Sequence, residues 1–190
     1  MERVRYGIVG TGGMGTGHAH SIQDIEECEL AAVCDIVPEV AREVGDTFDV
    51  PHFVDYHDLV DCDAVDAVIV ATPHYFHPAI SIYAMESGKP VISEKPIAVT
   101  VSGADAMVEA AQRTGVSFAV MHQTRTAPIW RAAGQLVQEG RLGDIYRTML
   151  VFSTFRSQAY SDSAGWRATW GGEGGGVLIN QAPHSLDRFT

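Results

Sequence analysis

The feature that most constrains this chain is a glycine-rich hexapeptide, GTGGMG, at residues 10–15. It follows the apolar run Tyr6–Val9 and precedes a segment with helical spacing, so it stands where a strand turns into a helix. In this spacing the first glycine permits a tight turn, the second lets the backbone approach a diphosphate, and the third lets the helix pack against the sheet. The free N–H groups at the start of such a helix favour an anion. We therefore predict that a dinucleotide diphosphate is bound by Gly10, Gly12, Gly13, Met14 and Gly15.

A carboxylate supports the same interpretation. Asp35 lies twenty residues after Gly15, at the end of the next apolar run, Leu30–Cys34. A carboxylate at that point accepts hydrogen bonds from the ribose hydroxyls of an adenosine and repels the 2′-phosphate of NADP. Residues 36–38 contain no arginine that could accept this phosphate, so we expect NAD in preference to NADP. The residues also permit a purely structural strand-to-helix turn followed by an incidental aspartate.

Strand and helix patterns alternate over residues 1–121. Continuous apolar strands are typical of sheets buried on both faces, and their alternation with helices predicts a parallel sheet with right-handed crossovers. We therefore predict an α/β fold for this part, a doubly wound parallel sheet of the Rossmann type. The predicted strands are Tyr6–Val9, Leu30–Cys34, Val65–Ala71, Val91–Ser93 and Ser117–Met121, and the predicted helices are Val40–Phe48, Pro78–Ser87 and Ser102–Thr114.

Residues 122–190 follow a different pattern. They predict a helix at Ala127–Gln138, one long strand at Ile145–Phe155, and a second helix at Val177–Phe189 that Pro183 should kink. One strand and two helices do not close a hydrophobic core by themselves. We therefore expect this part to be the incomplete start of a second domain, with a partner that supplies the rest as the alternative.

Composition narrows the classes of partner. There are 13 Lys and Arg residues against 24 Asp and Glu residues, a formal net charge of −11, which argues against nucleic acid and against an anionic membrane surface. The three cysteines form no CxxC pair, and the N-terminus lacks the pattern of a signal peptide, so we expect a reduced, cytoplasmic protein. Two histidine pairs, His18 with His20 and His74 with His77, lack a third ligand at metal spacing, so we predict no metal site.

Three further motifs carry a family resemblance. They are ATPHYFH at residues 71–77, VISEKP at residues 91–96 and GGGVLINQAPHSLD at residues 174–187. Together with the glycine-rich turn they resemble the Gfo/Idh/MocA oxidoreductases, the family of glucose–fructose oxidoreductase and inositol 2-dehydrogenase. The resemblance implies a Rossmann domain over residues 1–121 and, over residues 122–190, part of an α+β open-sheet domain for substrate binding and oligomerisation. It implies a homo-oligomer at full length.

The resemblance also implies roles for individual residues. Lys95 would lie beside the nicotinamide and bind the substrate oxygen, Glu94 would contact the nearby ribose, and His184 would be the catalytic histidine. The Lys95–Pro96 bond is a candidate cis peptide, which proline tolerates. Asn180 would bind substrate at a position where the family usually has an acid. The remaining implied cofactor contacts are Thr72, Pro73, His77, Gln123, Trp166 and Arg167.

These residue types suit the oxidation of an alcohol. Imidazole titrates near neutral pH and can accept the hydroxyl proton, and an ammonium group stabilises charge on the same oxygen. Asp187, one helical turn after His184, is either a carboxylate that orients its ring or an ordinary residue of a helix face. We expect an NAD(P)-dependent dehydrogenase acting on a sugar, polyol or cyclitol. The alternatives are a redox-assisted glycosidase of the same family and an NAD-binding fragment without catalysis.

Overall fold

A six-stranded parallel sheet organises the first part of the chain in the computed structural model, which describes residues 3–189. Its strand order is β3-β2-β1-β4-β5-β6, and every neighbouring pair is parallel. The chain therefore starts in the middle of the sheet, winds to one edge, and returns past β1 to build the other half. This confirms the predicted doubly wound sheet. The strands are β1 Val4–Val9, β2 Cys28–Cys34, β3 His52–Phe53, β4 Ala67–Val70, β5 Val91–Ser93 and β6 Phe118–Val120.

Five helices accompany these strands, and their ends follow local sequence chemistry. Proline stands in the first turn of α2 and of α4, where its missing N–H is not needed. The hydroxyl of Thr100 caps α5 by accepting from the amide of Gly103, and Gly115 ends that helix with a φ of 71°. The helices are α1 Gly13–Gln23, α2 Pro38–Phe48, α3 Tyr56–Val60, α4 His77–Glu86 and α5 Val101–Thr114.

Two hydrophobic cores lie on opposite faces of the sheet. Strand β4 is buried along its whole length and contributes Ile69 to one core and Val68 and Val70 to the other, because side chains alternate along a strand. The first core packs under α1 and α2, and the second includes Met85 of α4 and Met107 of α5. Burial on both faces explains why the strands are continuous apolar runs.

The register of the sheet brings four strand ends to one edge. Val9 of β1 pairs with Cys34 of β2 and with Val70 of β4, and Val70 pairs with Ser93 of β5. The segments that follow these strands therefore begin side by side at the carboxyl edge. The direction of winding reverses between β1 and β4, which is where open α/β sheets bind ligands.

The chain divides after Met121 into two compact units, which we describe separately. The second unit has five helices and two short 3-10 turns in the part that the structure describes. The first of these helices confirms the predicted helix at 127–138. The helices are α6 Pro128–Gln138, α7 Gln158–Asp162, α8 Trp170–Glu173, α9 Val177–Asn180 and α10 Pro183–Leu186, and the turns are Gln123–Thr126 and Asp187–Phe189.

The predicted strand at Ile145–Phe155 is wrong for this structure. The segment has no regular secondary structure, and every residue of it is exposed. Its alternating and β-branched side chains suit a strand, but a strand also needs a neighbour that accepts its backbone hydrogen bonds. Within residues 122–189 no other strand offers them.

The predicted single helix at Val177–Phe189 is also wrong. It is divided into α9 and α10, which are separated by Gln181 and Ala182 and followed by a 3-10 turn. Pro183 occupies the start of α10, since it has no N–H for the turn before it. Asn180 and His184 consequently lie on different helices and do not share one helix face.

Candidate functional site

The glycine-rich turn is shaped by two close approaches that exclude any side chain. Gly10 has a φ of 90°, and a Cβ atom there would lie 2.8 Å from the backbone of Ala71. A Cβ atom on Gly15 would lie 1.8 Å from the carbonyl oxygen of Gly10. Glycine is therefore required at both positions, and β1 can pass into α1 within three residues.

The start of α1 is open to a ligand. A Cβ atom on Gly12 or Gly13 would meet nothing within 4 Å, and Met14 is half exposed. The N-cap residue of α1 is Gly12, which has no side chain, so the first N–H groups of this eleven-residue helix do not donate to an N-cap side chain. Free space and unpaired donors at this point fit a diphosphate.

Asp35 lies at the carboxyl end of β2 beside this turn, with its carboxylate held in one orientation. Its Oδ2 accepts hydrogen bonds from the amide of Thr11 at 2.9 Å and from the Thr11 hydroxyl at 3.2 Å. Its Oδ1 accepts from the amide of Val37 at 3.0 Å. The carboxylate is only partly buried, so it remains accessible to a ribose hydroxyl.

The segment after β4 contributes one hydroxyl whose hydrogen bond is not satisfied. The Oγ1 of Thr72 is buried and has no hydrogen-bond partner among residues 3–189. Thr72 follows β4 at the same edge of the sheet as the glycine-rich turn. A buried hydroxyl without a partner is a fit for a polar ligand atom. The open helix start, the oriented carboxylate and this hydroxyl thus agree with a dinucleotide.

The structure places His77 between two backbone carbonyl groups, and its implied contact with the cofactor stays a prediction. Its ring is fully buried, with Nδ1 2.8 Å from the carbonyl oxygen of Pro96 and Nε2 2.9 Å from that of Thr72. Burial lowers the pKa of His77, and the two carbonyl contacts oppose this shift only in part. The ring joins the segment after β4 to the segment after β5 and does not present itself at the surface.

The turn Glu94-Lys95-Pro96 follows β5. The amide of Glu94 donates to the carbonyl of Val70 at 2.8 Å, and the Lys95–Pro96 bond is cis, which confirms that prediction. The Glu94 carboxylate is buried, with Oε1 2.8 Å from Nε2 of His18 and Oε2 accepting from the amide of Lys95 at 3.1 Å. Burial raises the pKa of Glu94, but the His18 contact and the Lys95 amide outweigh it, so the pKa lies below its usual value. No pattern in the sequence predicts this contact of His18 with Glu94.

In the second unit, His184 lies in a cluster of charged and aromatic groups. Its ring centroid is 5.9 Å from that of His122, with the two planes nearly perpendicular. Asp187 accepts two hydrogen bonds from the guanidinium of Arg125, at 2.7 and 2.5 Å. The Arg125 hydrogen bond is the main reason that the pKa of Asp187 lies below its usual value, and the charges of His122 and His184 lower it further. The Asp187 carboxylate thus interacts with Arg125 as well as with the two histidines.

Asn180 is buried and hydrogen-bonded to Glu173, an acid that no motif in the sequence indicates. Its Nδ2 donates to Oε1 of Glu173 at 2.5 Å, and both side chains are buried. The two residues line a cavity of about 360 Å³ together with Arg156, Tyr160 and Trp170. A carboxylate is therefore present beside Asn180, although the chain has none at position 180 itself.

The remaining predicted contacts of the second unit lie near one another or at the surface. The guanidinium of Arg167 stacks 4.8 Å from the Trp166 ring and 4.7 Å from the Tyr160 ring, and it donates to the Tyr160 hydroxyl. Gln123 is exposed at the start of a 3-10 turn. Their contacts with a cofactor stay predictions.

Residues 3–189 contain neither a cluster of metal ligands nor a membrane-spanning helix. No group of three His, Cys, Asp or Glu side chains in this range is arranged to hold a metal ion. None of the helices in the same range combines the length and the apolar composition that a membrane span requires.

Comparison with known proteins decides the family. The model of the oxidoreductase family with an NAD-binding Rossmann fold, GFO/IDH/MocA, matches residues 4–122, and the model of the GFO/IDH/MocA C-terminal domain matches residues 130–190. This chain belongs to the GFO/IDH/MocA oxidoreductase family. Its first unit is accordingly an NAD-binding Rossmann domain, as the glycine-rich turn predicts.

Individual relatives agree with this. The chain is 33% identical over 188 residues to inositol 2-dehydrogenase of Rubrobacter xylanophilus, covering 98% of this chain and 51% of that protein. It is 29% identical over 184 residues to a glycosyl hydrolase family 109 protein of Shewanella pealeana, covering 90% and 40%. The chain thus spans about half the length, or less, of these curated relatives.

The structure also resembles a solved enzyme complex. The WlbA dehydrogenase of Bordetella pertussis, crystallised with NADH and UDP-GlcNAcA, superposes with a TM-score of 0.87 at 31% identity, covering 98% of this chain and 58% of that one. The likeness extends through both units of this GFO/IDH/MocA chain.

Proposed function

We propose that the protein carrying this chain is an NAD-dependent dehydrogenase that transfers a hydride between a nicotinamide coenzyme and an alcohol group of a sugar, polyol or cyclitol. One observation carries the proposal. An open helix start, an oriented carboxylate and the turn that contains Lys95 follow strands whose carboxyl ends share one edge of the sheet. The first two suit the coenzyme, and Lys95 supplies a cation for the reacting oxygen.

The proposed chemistry divides between two side chains. When bound, the coenzyme accepts the hydride from the alcohol carbon. His184 accepts the hydroxyl proton at a ring nitrogen, since imidazole titrates near neutral pH. The ammonium of Lys95 donates a hydrogen bond to the oxygen and stabilises negative charge on it while the carbonyl forms. In the reverse direction His184 returns the proton.

The substrate class is supported by what the relatives are named for. Inositol 2-dehydrogenase is named for a cyclitol, and the WlbA structure contains a nucleotide-linked sugar acid. The Asn180–Glu173 pair offers an amide and a carboxylate of the kind that bind hydroxyl groups. We propose that Asn180 contacts the substrate through this pair.

Coenzyme preference gives the first test. Calorimetric titration of the chain should show tighter binding of NAD⁺ than of NADP⁺. Asp35→Asn should weaken NAD⁺ binding about tenfold, because a charge-assisted hydrogen bond to ribose is lost. The difference between the affinities for NAD⁺ and NADP⁺ should therefore become smaller. Asp46→Asn, at an exposed aspartate of α2, is the matched control and should bind like the original chain. No heat with either coenzyme would overturn the proposal.

Catalysis is tested in the whole protein that carries this chain. With a panel of sugars, polyols and cyclitols, NADH formation should fall at least about a hundredfold in Lys95→Met and in His184→Gln, in keeping with the loss of acid–base or charge stabilisation. The affinity for NAD⁺ should change little in His184→Gln. Unchanged turnover in both variants would show that Lys95 and His184 do not have the proposed roles in catalysis.

A redox-assisted glycosidase is the second candidate, favoured by the similarity to the glycosyl hydrolase family 109 protein. In that reaction the sugar is oxidised and then reduced again, so no net NADH is released. An aryl glycoside that liberates its aglycone with no net NADH would support this candidate. Stoichiometric NADH without glycoside cleavage would support the dehydrogenase.

A further inference from the structure

The pair His18–Glu94 joins two parts of the coenzyme-binding edge that are distant in sequence. His18 lies on α1, the helix that begins at the glycine-rich turn, and Glu94 begins the turn that carries Lys95. Their side chains approach to 2.8 Å, and only 14% and 7% of them are exposed. Nothing in the proposed chemistry uses His18, although it lies between the two functional turns.

The Glu94 carboxylate uses one oxygen for each side of this connection. Oε1 meets Nε2 of His18, and Oε2 accepts from the backbone amide of Lys95. A buried carboxylate needs partners for both oxygens, because an unpaired one loses hydration without compensation. Removal of His18 would leave Oε1 without this partner, so the carboxylate would rotate towards water or take up a proton. Either change weakens its hold on the Lys95 amide.

A comparison with His20 separates this contact from ordinary helix packing. His20 lies two residues further along α1, is exposed, and meets the ring of Phe48 edge-on with centroids 4.8 Å apart. Both histidines lie within α1, which is continuous from Gly13 to Gln23. Only His18 makes a polar contact with the segment after β5 among the contacts that the structure describes.

We propose that His18 is a positioning residue for Lys95. Through the Glu94 carboxylate, His18 holds the Glu94-Lys95-Pro96 turn at a set distance from helix α1. It acts through Glu94 and does not itself touch a reacting atom. The proposal rests on the proposed function where it concerns Lys95 and the coenzyme, but the positioning itself is a property of the chain without coenzyme.

The first experiment measures positioning without coenzyme. Amide hydrogen exchange at Lys95, followed by NMR in the 190-residue chain, reports whether its N–H remains bonded to Glu94. In His18→Met, which keeps the volume and lacks a donor, exchange at Lys95 should accelerate about tenfold, as expected for a lost bond to a charged acceptor. In His18→Gln, whose amide nitrogen is the same number of bonds from Cα as Nε2, exchange should stay near the original rate.

Two controls keep this experiment decisive. His20→Met should leave exchange at Lys95 unchanged. If His18→Met does not fold, Glu94→Gln tests the same contact from the other side and should accelerate exchange at Lys95 in the same direction. Unchanged exchange at Lys95 in every folded variant that breaks the His18–Glu94 contact would overturn the proposal.

The second experiment connects positioning to coenzyme. By calorimetry, His18→Met should raise the Kd for NAD⁺ about tenfold, His18→Gln less than about threefold, and His20→Met not at all. If the original chain binds no coenzyme, the proposed function is wrong, and the positioning role of His18 is then tested by the exchange data alone. If the original chain binds NAD⁺ but exchange at Lys95 is insensitive to His18, the positioning role fails and the proposed function stands.

Discussion

The two units of this chain hold the residues proposed for the site in different ways. In the first unit the proposed coenzyme-binding turns follow strands β1, β2, β4 and β5, and backbone hydrogen bonds of the sheet set their positions. In the second unit Asn180 and His184 lie on helices of four residues each, held by side-chain contacts such as Asn180 with Glu173. A site at strand ends is determined by the ladder beneath it, whereas a site on short helices depends on the side chains around it.

Glycine substitutions should show the largest difference between the units. Gly15→Ala places a Cβ atom 1.8 Å from the carbonyl oxygen of Gly10. We therefore expect the free energy of unfolding to fall by more than about 3 kcal/mol, or the variant not to fold. Gly134→Ala, in the interior of α6, meets nothing within 4 Å and should be neutral or stabilising by up to about 1 kcal/mol. Urea unfolding of both variants measures the effect. Equal losses at the two positions would contradict the comparison.

A matched methionine pair tests packing. Met107 is fully buried in the first unit, and Met149 is 73% exposed in the second. Met107→Ala should lower the free energy of unfolding by about 3 kcal/mol, since a core methionine leaves a cavity. Met149→Ala should change it by less than about 0.5 kcal/mol. A large loss at Met149 would mean that the segment at 145–155 packs against part of the chain in solution.

The smallest effect concerns pH and a pair of side chains at the amino ends of the central strands β1 and β4. Arg5 donates to Asp66 through side-chain and backbone hydrogen bonds, and these lower the pKa of Asp66 to about 2. A carboxyl whose pKa is lower in the folded state stabilises the fold at higher pH, so this contribution is complete above about pH 4 and disappears as the pH falls through about 2. Both side chains are partly exposed, so the contribution is about 1 kcal/mol or less.

Denaturation at several pH values checks this in Asp66→Asn. The variant should be less stable than the original chain at pH 6, and the difference should shrink as the pH approaches 2. A difference that stays constant over this range would show that the pair acts by packing and not by charge. Asp63→Asn, whose carboxylate faces no guanidinium among the described contacts, provides the control.

Much of the first unit could be predicted from the sequence. Helices α2, α4 and α5 and the strands β1, β2, β4, β5 and β6 follow from apolar runs and from proline and glycine punctuation. The two-residue strand β3 and the five-residue helix α3 were not predicted, because segments so short carry too few positions to show a period. In the second unit the strand at 145–155 and the helix at 177–189 failed, because one needs a neighbouring strand and the other is divided at Pro183.

The sequence alone determined the doubly wound sheet, the glycine-rich turn, the acid after β2 and the cis bond before Pro96, because each depends on local periodicity, on a glycine requirement or on a recognisable motif. The tertiary structure alone decided that His18 meets Glu94, that His77 bridges two carbonyl groups, and that Glu173 supports Asn180. His18 and Glu94 are 76 residues apart, and no pattern along the chain records such a contact. Hydrogen-bond partners of this kind are determined by packing, since a buried polar group bonds to the donor or acceptor that the fold places beside it.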